Sequence, residues 1–181
     1  SLFNLKIWGV FGPEKFLGYD STNRYVITPK HVVIATGAFE RGLVFPGWTL
    51  PGVLTTGAGQ TLLRSYQVSP GNRVAIAGNG PLNLQLAAEL IRAGVDVAAI
   101  AESAKLFNVK NVLLGGLLFL RSPKLALTGV GYLLTIAKAK TKILPGHIVT
   151  RVNGRESVES VEFKKLDKSS AKSFKIDAIT I

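Results

Sequence analysis

The residues best suited to do chemistry lie in one run, Asn72 to Glu102, NRVAIAGNGPLNLQLAAELIRAGVDVAAIAE. Gly78-Asn79-Gly80 forms a turn in which two glycines let the backbone bend sharply and come close to a pyrophosphate. Pro81 and Leu82 follow. Proline suits the first helical position because its missing N–H would have no partner there. The N–H groups and positive dipole end of such a helix face an anion. Glu102 lies 22 residues past Gly80, about where a carboxylate at a strand end accepts hydrogen bonds from an adenosine ribose. Gly78, Asn79, Gly80, Pro81, Leu82 and Glu102 are therefore the candidate cofactor-binding residues of a dinucleotide site. The carboxylate would repel a 2′-phosphate, which favours NAD over NADP, while Lys105 nearby in sequence works against that preference. The alternative is a plain βαβ crossover whose glycine turn holds no ligand.

The elements that must position these residues are legible around them. Arg73 to Ala77 is a short apolar run of the kind buried on both faces of a parallel sheet. Leu82, Leu86 and Leu90 recur at i, i+4 and i+8, with Ala87 and Ile91 beside them, so one helix face is apolar. Gly94 suits the position past the helix end, and Val95 to Ala101 is the next strand. One residue departs from the pattern. Asn83 occupies the third glycine position, where a larger side chain is expected to push the helix slightly off the strand. Two further G-x-G runs, Gly57 to Gly59 and Gly129 to Gly131, have no strand leading into them and are read as ordinary helical glycines.

With 181 residues, 47% hydrophobic and 18% charged, the chain can bury a sizeable core. It has no cysteine, which removes a redox-active cysteine pair, a thiolate metal site and any disulfide framework, and no metal site is expected. It has no methionine even at position 1, so a processed product or a piece of something longer is expected. The net charge of +11 reads as a solvated lysine surface or as a surface for an acidic partner or anionic ligand. The cations are scattered without interleaved aromatics, which argues against nucleic acid. No secretory leader is visible, and the apolar run Leu113 to Leu120 is too short to span a bilayer. A buried or interface helix is the main reading of that run, with membrane-surface attachment as the alternative. The expected location is cytoplasmic, with peripheral membrane association as the variant.

Elsewhere, strands are expected at Leu5 to Phe11, Arg24 to Thr28 and His31 to Ala35, and a helix at Thr55 to Val68. Lys105 to Lys142 reads as mostly helical with a kink at Ser122-Pro123. Strands at Ile143 to Val152 and Val158 to Leu166 flank the hairpin signal Asn153-Gly154, and Phe174 to Ile181 is the last strand. Neither His31 nor His147 has sequence neighbours that suggest metal or proton chemistry, and no catalytic acid, base or nucleophile stands out.

Two segments in this order carry a resemblance: Ala35-Thr36-Gly37 at the end of an apolar strand, within ATGAFERGLVFPGWTLPGV, and then the glycine turn at Gly78 to Asn83. The chain resembles the pyridine nucleotide–disulfide oxidoreductase superfamily, and in particular the components of amine-oxidising complexes such as sarcosine oxidase, dye-linked proline dehydrogenase, opine oxidase and hydrogen cyanide synthase. Residues 5–103 carry it well and the rest more loosely. The resemblance implies an α/β fold: a Rossmann-like three-layer nucleotide-binding domain with a parallel sheet and a small β-meander, plus part of an FAD domain. It implies residues 1–54 as the end of the FAD-domain portion and crossover, 55–176 as the NAD(P)-binding domain, and 177–181 as the return to the FAD domain. It adds Thr36 and Gly37 to the cofactor-binding candidates, and FAD to the cofactors of the complete protein. The implied partners are the missing FAD-domain segments or other oxidoreductase subunits. The implied function is the nucleotide-binding portion of a flavin-dependent amine or amino-acid dehydrogenase or oxidase, inactive alone, because in such enzymes the cofactors carry the redox step. The competing reading is a non-catalytic adenine-nucleotide-binding or assembly module.

Overall fold

A computed structural model describes residues 3–37, 39–104, 121–167 and 170–181. The chain divides into two compact units, residues 1–39 and 40–181.

The N-terminal unit is a three-stranded antiparallel sheet of β1 (Lys6–Val10), β2 (Phe16–Tyr19) and β3 (Arg24–Ile27), in that order. Asp20 ties the β2–β3 turn. Its carboxylate accepts the Tyr25 hydroxyl at 2.7 Å and the N–H groups of Thr22 and Asn23 at 2.8 and 2.7 Å. Those donors, Tyr25 foremost, hold its carboxyl well below the usual carboxylate range. The strand expected at His31 to Ala35 does not form, and the chain there is irregular. Val33 and Ile34 are 88% and 83% exposed. An apolar run becomes a strand only where neighbours pair its backbone, and no described residue of this unit does so. β2 was not among the expected strands: FLGY carries a glycine, which weakens a strand signal.

The C-terminal unit has three layers. The central one is a five-stranded parallel sheet of β4 (Val53–Leu54), β5 (Arg73–Gly78), β6 (Asp96–Glu102), β7 (Lys142–Pro145) and β11 (Ala178–Thr180), ordered β4-β11-β5-β6-β7. Helices α1 (Thr56–Tyr66), α2 (Pro81–Arg92) and α3 (Pro123–Lys138) make a second layer, and the antiparallel strands β8 (His147–Asn153), β9 (Ser160–Lys165) and β10 (Ala171–Lys175) make the third. Alternation along β5 separates the two cores. Val74 and Ile76 join Leu86, Leu90 and Ile136 of the helices, whereas Ala75 and Ala77 meet the side holding Phe163, Val161 and Leu144. Large side chains thus face the helices and alanines let the β-meander approach, which makes a continuous apolar run the natural code for β5. The expected three-layer α/β arrangement is the observed one.

Two expected strands are each split between layers. Ile143 to Val152 breaks at Gly146, whose φ of +70° suits glycine. β7 stays in the parallel sheet and β8 begins the meander. Phe174 to Ile181 breaks at Ile176-Asp177, so that β10 ends the meander while β11 enters the parallel sheet between β4 and β5. Asp177 fixes that crossing by accepting the N–H groups of Asn72 and Arg73 at 3.0 and 2.9 Å. The β8–β9 connection is residues 154–159, longer than a two-residue Asn-Gly turn. Of the expected helix Lys105 to Lys142, α3 is the part described; Lys105 and Leu113 to Leu120 lie outside the described residues.

The loop before β4 is held to β8. Val152 N–H donates to Pro46 O at 2.9 Å, and Gly47, with φ of +89°, lies directly over the Val152 carbonyl oxygen. Gly47→Ala would add both backbone strain and a steric clash with a carbonyl, and is expected to cost on the order of 3 kcal/mol of unfolding free energy. Urea denaturation measures it; a loss below about 1 kcal/mol would show that the loop yields at little cost.

Candidate functional site

β5 runs into a turn and then directly into α2. Gly78 and Gly80 have φ of +139° and +121°, values that residues with a Cβ rarely adopt. A Cβ on Gly78 would lie 2.9 Å from Asn83 Nδ2, whereas one on Gly80 would meet nothing within 4 Å. Gly78 is therefore needed for close approach and backbone shape, and Gly80 for shape alone, with open space in front of it. Gly80 is the N-cap of α2 and makes no side-chain capping hydrogen bond, and Pro81 sits in the first turn. No carboxylate occupies that first turn, so the positive end of the helix is left for another anion.

Glu102 is opposite Gly78 in the β5–β6 register and only 2% exposed. One carboxylate oxygen, Oε2, accepts the Gly80 N–H at 3.1 Å. The other, Oε1, is buried without a hydrogen-bond partner. Burial pushes the Glu102 carboxyl above its ordinary range, and the Gly80 N–H and the Asn83 amide offset this in part. Asn83 is itself buried, and its Oδ1 accepts the Thr56 hydroxyl at 2.9 Å. The residue at the third glycine position is thus built into a polar joint between the starts of α1 and α2, next to the turn.

A cavity of about 380 Å³ opens beside this turn. Its wall includes Gly78 and Asn79 after β5, Ser103 after β6, His147 at the start of β8, Phe45 and Ile181. These are the carboxyl ends of the parallel strands, beside the point where the chain order reverses: β6 lies on one side of β5 and β11 on the other. Crevices of that kind are where open α/β sheets bind ligands. His147 is buried, and its Nδ1 lies 2.9 Å from the Pro145 carbonyl oxygen. Nδ1–H donates there, since a carbonyl oxygen only accepts. Ser103 N–H donates to Gly78 O at 2.9 Å and fixes the end of β6 against the turn.

The structure brings Gly78, Asn79, Gly80, Pro81 and Glu102 together at one edge of the sheet, with Leu82 40% exposed on the first turn of α2. Thr36 and Gly37 belong to the N-terminal unit, on irregular chain where Gly37 has φ of +76°. Sequence reasoning missed His147 and Ser103. His147 reaches the cavity only because the chain changes layers at Gly146, and a Gly-His pair between two apolar runs was its only local trace. Among the described residues no three His, Asp or Glu side chains gather as a metal site, and no helix is long and apolar enough to cross a membrane.

Comparison with known proteins agrees with the fold. One component of the opine oxidase of Agrobacterium tumefaciens (strain Ach5) is 38% identical over 132 residues, covering 73% of this chain and 26% of that protein. The HcnB component of the hydrogen cyanide synthase of Pseudomonas protegens is 30% identical over 159 residues, covering 87% of this chain and 33% of its own. The chain therefore spans a quarter to a third of the length of these relatives. Among solved structures, thioredoxin reductase of T. acidophilum superposes with a TM-score of 0.60 at 18% identity, over 92% of this chain and 47% of that one, a likeness of fold. Residues 4–113 match the family described as pyridine nucleotide-disulphide oxidoreductase. The strand–turn–helix unit, the three-layer sheet and these matches place the chain in the pyridine nucleotide-disulphide oxidoreductase family, a family of FAD-dependent oxidoreductases.

Proposed function

We propose that this chain is the pyridine-nucleotide-binding portion of a flavin-dependent oxidoreductase, of the amine or amino-acid dehydrogenase or oxidase type. The observation that carries the reading is the open N-terminus of α2 at Gly80, with the partnerless Oε1 of Glu102 buried beside it and a cavity alongside. These residues fit a dinucleotide. The first-turn N–H groups of α2 and the glycine backbone would hold the pyrophosphate, and Glu102 Oε1 would accept a ribose hydroxyl. His147 Nε2 and the Ser103 hydroxyl would offer polar contacts from the cavity wall. NAD is favoured over NADP because Glu102 would face a 2′-phosphate with negative charge. The bound nucleotide would supply hydride chemistry, and the chain binds and orients it.

In the complete protein FAD would be the second cofactor, with Thr36 and Gly37 on its side. Residues 1–54 would end the FAD-domain portion and cross over, 55–176 would form the NAD(P)-binding domain, and 177–181 would start the return. Relatives named as subunits of an opine oxidase and of a hydrogen cyanide synthase support a place in a multi-subunit oxidoreductase. The amine or amino-acid substrate class is an extension of those names. The partners would be FAD-domain segments or other subunits, and the location cytoplasmic, with peripheral membrane association as the variant.

Calorimetric titration of the chain with NADH, NADPH, ADP and FAD tests this reading. Selective NADH binding is expected. Equal binding of adenine nucleotides with no nicotinamide preference would favour a non-catalytic nucleotide-binding or assembly module. No binding by a folded chain would remove the assignment of this cavity.

A further inference from the structure

Helix α3 carries an apolar face that the nucleotide-binding reading leaves unused. One side of α3 is fixed to α2. The Arg92 guanidinium stacks 5.7 Å from the centre of the Tyr132 ring and donates to Thr135 Oγ1 at 3.2 Å, and Ile136 is fully buried. At 100° per residue, Leu127, Val130 and Leu134 fall on the opposite side. They are 59%, 44% and 56% exposed, and Leu133 flanks them at 45%. Four large apolar side chains open to solvent on one side of a 16-residue helix make a patch of the kind that marks a binding surface.

Charge identifies the occupant. Between Glu102 and Glu156 the sequence has nine Lys or Arg and no Asp or Glu. Exposed Arg121 and Lys124 stand at the start of α3, and exposed Lys138 and Lys140 at its end. Among the described residues none of these four enters a salt bridge. Cations at a helix N-terminus oppose the macrodipole, so Arg121 and Lys124 do not serve the stability of α3. An apolar stripe bracketed by cations at both ends, with no carboxylate on the helix, matches an anionic bilayer surface: the apolar side chains enter the acyl boundary while the cations meet the headgroups. No helix among the described residues is long and apolar enough to cross a membrane, so α3 would lie in the plane of the interface.

We infer that α3 attaches the protein peripherally to anionic membranes through Leu127, Val130 and Leu134, with Arg121, Lys124, Lys138 and Lys140 on the headgroups. This goes beyond the nucleotide-binding reading and does not depend on it. The test is co-sedimentation of the 181-residue chain with vesicles of phosphatidylcholine alone, and with vesicles in which about a third of the lipid is phosphatidylglycerol. Binding to the anionic vesicles only, weakened by salt, is expected. Neutralising two cations, Lys124→Gln with Lys138→Gln, is expected to weaken it by about thirtyfold. Leu127→Ser with Leu134→Ser is expected to remove it while leaving the far-UV circular dichroism and Tm unchanged, because both leucines are exposed. Failure to pellet with anionic vesicles overturns the inference, as does equal binding by either double variant. Self-association abolished by Leu127→Ser with Leu134→Ser, without vesicle binding, overturns it in favour of a second copy of the chain as the occupant.

Discussion

Gly80→Asp is expected to raise the Kd for NADH by more than about 100-fold while the chain still folds. Two effects act on binding. The φ of +121° at Gly80 is strained for any residue with a Cβ, and a carboxylate would stand in front of the α2 N–H groups where the pyrophosphate is to sit. Folding should survive because a Cβ at Gly80 meets no atom within 4 Å, which leaves only a backbone strain of about 1–3 kcal/mol. Gly80→Ala separates the terms: it carries the strain without the charge, and its effect on Kd is expected to be roughly tenfold or less. Calorimetry on both variants, with circular dichroism as the folding control, makes the comparison. An unchanged Kd in folded Gly80→Asp would show that the pyrophosphate does not use this turn.

The β5–α2–β6 unit was legible because each of its signals is local. Buried parallel strands are written as apolar runs, and leucines at helical spacing write the face of α2. The layer changes were not legible. Ile143 to Val152 is apolar on both sides of Pro145-Gly146, and the positive φ at Gly146 sends its second half into the meander. IDAITI reads as a continuation of β10, but Asp177 binds the N–H groups of Asn72 and Arg73 more than 100 residues upstream, a contact outside any sequence window. HVVIA failed in the opposite sense. Its composition suits a strand, but a strand exists only with a partner, and the N-terminal unit supplies none among its described residues.

The same division holds at the site. Gly78, Gly80 and Pro81 could be read because turn chemistry is set by neighbours, and Glu102 because strand length fixes how far past the turn the second strand ends. The Thr56–Asn83 hydrogen bond joins residues 27 apart. It turns an apparent defect in the glycine pattern into a structural joint that only the packed helices reveal. Glu102, the ribose ligand that the strand end suggests, lies 2% exposed with one oxygen on the Gly80 N–H, a burial that only the fold reveals.

That geometry gives Glu102→Gln an expected effect on nucleotide choice and on pH dependence. In the native chain an ionised Glu102 would repel the 2′-phosphate of NADP, a like-charge juxtaposition that costs several kcal/mol when poorly solvated. Glu102→Gln keeps an acceptor for the Gly80 N–H and removes the charge, so the preference for NAD over NADP is expected to fall by about tenfold or more. Glu102→Ala removes the acceptor as well, and is expected to weaken NADH more than NADPH. Burial holds the folded-state pKa of Glu102 above its unfolded value. Between those two values the folded chain keeps a proton that the unfolded chain has released. The associated stability is fully present below the unfolded pKa and is lost as pH rises through the folded one. Glu102→Gln should therefore be the more stable protein at pH 8, with the difference closing in acid; urea denaturation at the two pH values measures it. Nucleotide preference should follow the same titration. As pH falls and Glu102 becomes neutral, the native chain should lose its discrimination against NADP, while Glu102→Gln retains only the dependence that comes from protonation of the 2′-phosphate itself. Titrations with NAD⁺ and NADP⁺ across that range compare the two proteins directly. Superimposable preference profiles would mean that the carboxylate does not face the ribose, and would leave Glu102 with only its role in holding the Gly80 turn.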